Sequence, residues 1–111
     1  MKTKHQGPTY REEKITHIIK ELASEFLSKE SNRSSLVTVT DVHFSTRSKQ
    51  ATILISVLPD HKATAALDFA KRQRAALRAF IKSKSRLSIL PFLDIKLDMG
   101  EKNRQNVDRL V

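Results

Sequence analysis

Residues 69–86 read FAKRQRAALRAFIKSKSR, and the fold turns on how this stretch is parsed. Seven of its eighteen positions are Lys or Arg, and none is Asp or Glu. At 100° per residue, Ala66, Phe69, Ala70, Ala76, Leu77, Phe80 and Ile81 share one apolar face, while Lys71, Arg74, Arg78 and Lys82 form a separate row of cations. Gln73 interrupts the apolar stripe where an aliphatic belongs, and Leu67 falls off the face of one straight helix. The pattern therefore predicts a helix from about Lys62 to Ser83, kinked or interrupted at Gln73. A soluble helix normally mixes both charge signs, since like charges at i,i+4 repel. An acid-free row points to a polyanionic partner.

Strands flank this helix. Upstream, LVTVTDVHF (36–44) and ATILISV (51–57) are β-branched and alternating, and STRSKQ joins them as a hairpin loop with Arg47 and Lys49 near its tip. Leu58-Pro59-Asp60 ends the second strand, with Asp60 as the expected N-cap of the basic helix. Downstream, Pro91 punctuates and FLDIKLD (92–98) alternates as a third strand, with Leu93, Ile95 and Leu97 inward and Asp94, Lys96 and Asp98 outward. Further upstream, Ile15, Ile18, Ile19, Leu22, Ala23, Phe26 and Leu27 line one face of a helix ending near Lys29. A capping box, Thr9-Tyr10-Arg11-Glu12, is expected to open it. The order is α-β-β-α(kinked)-β. We expect one α+β domain over residues 11–99, with a three-stranded sheet and helices packed on one face. Residues 1–10 read as a loose arm and 100–111 as a polar tail.

The chain has 111 residues, no cysteine and a formal net charge of +9, from 21 basic and 12 acidic residues. The length suits a single domain with a modest core. Without cysteine there is neither a disulfide framework nor a thiolate metal site. No apolar run reaches a membrane span, and no apolar segment follows the N-terminal lysines as a secretory signal requires, so the cytoplasm is expected, or an organelle reached by a sequence already removed. The basic excess is also local, since no acid occurs between Asp68 and Asp94. A charge run is normally just solvated surface. An acid-free, linear run backed by a chain-wide excess favours nucleic acid instead. A membrane surface fits less well, because Phe69, Leu77 and Phe80 are expected to pack on the sheet. The candidate RNA contacts are Lys71, Arg72, Arg74, Arg78, Lys82, Lys84 and Arg86 on and after the helix, with Arg47 and Lys49 on the hairpin. An aromatic stacking platform is not evident in the sequence.

Catalytic readings are weaker. Four histidines are scattered without ligand spacing. His43 and Asp41 share a strand face, a pattern far commoner as polar surface than as a metal site. Asp94, Lys96 and Asp98 have the look of a metal-dependent nuclease strand, but alternation explains them more simply. With two glycines in the chain there is no phosphate-binding loop. No enzyme, metal, cofactor or small-molecule substrate is expected.

The element order and its interrupted basic helix resemble the type II KH architecture, and the sequence detail resembles the ribosome-binding factor A family. VTVTDVHFS (37–45) is similar to that family's first strand, and ATILISVLPD (51–60) to its second strand and turn. ALDFAKRQRAALRAFI (66–81) resembles its kinked helix with a Leu-Arg pair, here Leu77-Arg78. RLSILPFLDIKLD (86–98) resembles its Arg-Leu-x-x-x-Pro-x-Leu-x-Phe-x-x-Asp stretch. The likeness covers roughly residues 11–99. There are two departures. Gln73-Arg74-Ala75 stands where the family places Ala-x-Gly, which leaves open a true break or only a bend, and Ile95 stands for a Phe. The resemblance implies a non-enzymatic, monomeric factor that binds the immature small (30S) ribosomal subunit. It also implies contact with 16S rRNA, assistance to late maturation including 5′-end processing, and an association with growth in the cold. The alternative is a general RNA chaperone with no ribosomal target.

Overall fold

The computed structural model describes residues 10–30, 34–87 and 89–100. Helix α1 (Tyr10–Glu30) leads into strands β1 (Leu36–Ser45) and β2 (Gln50–Leu58), followed by a 3-10 turn at Asp60–Lys62. Helices α2 (Ala63–Arg72) and α3 (Arg74–Lys84) come next, and strand β3 (Phe92–Leu97) closes the fold. The sheet order is β1-β2-β3. β1 and β2 pair antiparallel through the tight hairpin, whereas β3 pairs parallel to β2. A parallel neighbour needs a long crossover, which the α2–α3 pair supplies.

Alternation sets the inner face of the sheet. Ala51, Ile53, Ile55 and Val57 of β2 meet Leu93 and Ile95 of β3 and Val39 and Val42 of β1, all buried. Ile19, Ala23, Phe26 and Leu27 of α1 pack onto this face from one side, and Ala70, Leu77 and Ile81 from the other. The helices thus cover one face, and the opposite face, with Thr38, Thr52, Ser56 and Lys96, is not buried. α1 carries Glu12 and Glu13 in its first turn and Lys29 in its last, the charge order that complements the helix dipole.

Several local expectations are revised. Asp60 sits inside the 3-10 turn, and Lys62 holds the cap position of α2. Ala76, placed on the apolar face by periodicity, is exposed, while Leu67 packs against the core. β3 ends at Leu97, although the Asp98 N–H still donates to the Ile55 carbonyl at 2.7 Å. The register slips between Val39 and Asp41, so that Thr40 is an extra residue in β1. Its hydroxyl donates to the Asp98 carboxylate at 2.6 Å, which ties the bulge to the end of β3. The capping box rests on Thr9, outside the described residues, as do the arm before Tyr10 and the tail after Gly100.

Candidate nucleic-acid interface

The basic helix is interrupted at Gln73, where the backbone takes φ −90° and ψ 5°. Its N–H is shared between the Phe69 carbonyl (3.2 Å) and the Ala70 carbonyl (3.0 Å), which closes α2. Its own carbonyl accepts from the Leu77 N–H at 2.8 Å, which opens α3. These dihedrals lie in the bridge region, open to any L-residue. The absence of glycine in Gln73-Arg74-Ala75 therefore does not prevent the interruption.

Two of the four cations in the predicted row are engaged by β3 and the chain segment leading into it. Arg78 is half-buried, and its guanidinium donates to the carbonyls of Pro91 (2.7 Å) and Leu90 (2.9 Å). Arg74 pairs with Asp94 at 3.3 Å and lies over the Phe92 ring, 5.7 Å from its centroid. Asp94 supplies across the fold the acid that the helix lacks in sequence. Because Arg74 sits at the first position of α3, where a cation opposes the helix dipole, a nearby carboxylate is favourable there.

Phe92 is 57% exposed and, with Arg74, Ala75, Arg78 and Leu93, lines a shallow groove of about 320 Å³. Sequence reasoning missed this aromatic, although the signal was present: the alternation that turns Leu93, Ile95 and Leu97 inward turns Phe92 outward. The Phe92 N–H donates to the Lys49 carbonyl at 3.1 Å, so the end of the hairpin loop adjoins the start of β3. Lys49 adopts a left-handed φ of 55°.

The structure sorts the candidate cations into groups. Arg74, Arg78, Phe92 and the Lys49 backbone meet at the kink. Lys71 and Arg72 are exposed in the last turn of α2 beside it. Arg47 and Lys49 are exposed on the hairpin. Lys82 and Lys84 are exposed at the far end of α3, about 16 Å along an eleven-residue helix, with Lys84 near the Phe80 ring at 5.8 Å. Arg86 is not part of this cluster and lines a different groove, against α1.

The carboxylates considered for catalysis have structural partners. Asp94 holds Arg74. Asp98 accepts from Thr40 and from the Gly100 N–H at 3.0 Å. His43 and Asp41 lie 3.6 Å apart on the uncovered sheet face, both well exposed. Among the described residues no polar or charged side chain is buried, and no three His, Cys, Asp or Glu residues converge as metal ligands.

A comparison with protein-family models matches residues 11–111 to Ribosome-binding factor A. The chain belongs to this family. Two solved structures share its fold. Ribosome-binding factor A from Thermus thermophilus matches with a TM-score of 0.67 and 19% identity, over 77% of this chain and 92% of that one. A Thermotoga maritima protein, assigned provisionally to ribosome binding factor A, matches with a TM-score of 0.60 and 22% identity. That match covers 86% of this chain and 94% of that one. No match was found among curated proteins. Two of the family-like stretches, the one carrying Leu77-Arg78 and the one carrying Leu90-Pro91, meet in the Arg78 clamp. Among the described residues no helix is long and apolar enough to cross a membrane.

Proposed function

We propose that this chain is a non-catalytic assembly factor that binds the immature small ribosomal subunit. It contacts 16S rRNA through the face around the helix kink and assists late maturation, including processing at the 5′ end. On this reading it acts as a monomer in the cytoplasm and matters most for growth in the cold. Family membership over residues 11–111 supports the ribosomal target. The observation that carries the RNA face is Arg74 lying on the exposed Phe92 ring, beside Lys71 and Arg72.

Physical reasoning favours phosphate contact over sequence reading. Lys71, Arg72, Arg47 and Lys49 are exposed cations suited to the backbone, and such contacts position a chain without specifying it. Phe92 adds one ring against which a single unpaired base can stack. Arg78 acts indirectly, by fixing the segment that presents Phe92.

Sedimentation of tagged protein through a gradient of ribosomal particles tests the proposal. The chain is expected in the small-subunit peak, and a Lys71→Glu, Arg72→Glu double variant is expected to leave it. Absence of the native chain from that peak, with retention on free RNA, would favour the general chaperone instead.

A further inference from the structure

A second groove lies at the other end of α3 from the kink, between the first half of α1 and the segment that follows α3. Ile15 and Ile18 of α1 and Leu87 and Ile89 of the segment line it with aliphatic surface, and Ile89 is 82% exposed. Arg11, Lys14 and Arg86 stand at its rim, and none of the residues lining it is acidic. The acids of the same helix turn go elsewhere: Glu12 and Glu13 line a crevice against β1. At the start of α1 the acids and the cations thus face different concavities.

Single exposed aliphatics are ordinary, but Ile89 stands with Ile15, Ile18 and Leu87 around one concavity whose rim is cationic. The volume, about 260 Å³, falls below the usual range for a whole small-molecule ligand and fits inserted side chains. Branched aliphatics offer no ring for base stacking, so the floor does not suit RNA. A concave aliphatic floor takes apolar anchors from a peptide, and a wholly cationic rim pairs with carboxylates around them.

We propose that this groove docks a protein partner through an acidic segment carrying Leu or Ile anchors. The anchors fill the space between Ile18 and Ile89, and flanking Asp or Glu side chains pair with Arg11, Lys14 and Arg86. This assigns Arg86 to a protein contact, separate from the kink. It does not rest on the ribosomal reading, since the two surfaces occupy opposite ends of α3.

Selection of a random phage-displayed peptide library against the full chain tests it. Enriched peptides are expected to combine Leu or Ile with several acidic residues. Measured as synthetic peptides, they should bind Ile89→Asp at least tenfold more weakly, and Arg11→Glu severalfold more weakly. Ile89 is exposed, so Ile89→Asp should keep the native circular dichroism spectrum. Four results would overturn the proposal. They are no enrichment above background, enriched peptides without acids or aliphatics, equal binding to Ile89→Asp, and displacement of the peptide by oligouridylate, which would make the groove an RNA site. Dimerisation abolished by Ile89→Asp, or nuclear Overhauser contacts in the free protein from the Ile89 methyls to another part of the chain, would likewise overturn it by giving the groove a different occupant.

Discussion

Replacing Arg78 with alanine removes two hydrogen bonds from a guanidinium to the carbonyls of Leu90 and Pro91, at 2.9 and 2.7 Å. A hydrogen bond to a charged group contributes about 1.5–3 kcal/mol when its surroundings are dry. Arg78 is only half-buried, so water re-solvates part of what is lost, and about 2 kcal/mol in all is the expected cost. For a chain of this size that corresponds to a melting temperature lower by roughly 8 °C. Arg78→Lys keeps the charge but loses the two-pronged geometry, and should fall about midway. The assay is paired: urea unfolding by circular dichroism for stability, and amide exchange for location. Protection should drop most at Phe92 and its β3 neighbours and least in the β1–β2 hairpin. A loss within about 0.5 kcal/mol, the range for an ordinary surface cation, would show that the clamp does not hold β3 and that Arg78 is simply free charge.

Asp94→Asn removes the acid that engages Arg74, so affinity for single-stranded RNA should rise about two- to fivefold, read by fluorescence anisotropy; an unchanged affinity would mean Arg74 does not meet phosphate. If Lys71, Arg72, Arg74, Arg47 and Lys49 together contact about five phosphates, the log–log salt dependence of that binding should have a slope of about −3.5. A slope near zero would exclude the kink as an electrostatic face. Lys49→Asn places a residue tolerant of the left-handed region at φ 55° and should raise the urea midpoint, by about 0.5 kcal/mol of stability, while weakening RNA binding. A lower midpoint would show that the lysine side chain stabilises the hairpin.

What the sequence showed and what it hid divide along a physical line. β-branched alternation in 36–44 and 51–57 located β1 and β2 to within a residue, because each inner position is decided by burial alone. The polar Gln73 in an apolar stripe located the interruption for the same reason. The Thr40 bulge had no local signal, since neither glycine nor proline marks it and the carboxylate its hydroxyl engages is 58 residues away. The Arg78 clamp was equally invisible: in sequence Arg78 is one cation in an even row, and only the crossover brings the Leu90 and Pro91 carbonyls against it. Phe92 stood between these cases. Its orientation followed from alternation, but its setting beside Arg74 needed the parallel pairing of β3 with β2.

The kink itself carries one further consequence. A glycine at such a junction lets a ligand backbone approach the peptide plane closely, because no Cβ stands in the way. Here Gln73, Arg74 and Ala75 all carry side chains, and Gln73 achieves the interruption with dihedrals available to any residue. Contact at this surface must then be made by side chains. The Arg74 guanidinium, at the first position of α3, already lies on Phe92. On the proposed reading, an RNA contact here gains reach and charge where the family's glycine-containing form gains proximity. Its affinity should depend more on salt, and less on the fine shape of the RNA, than a surface built on bare peptide N–H groups.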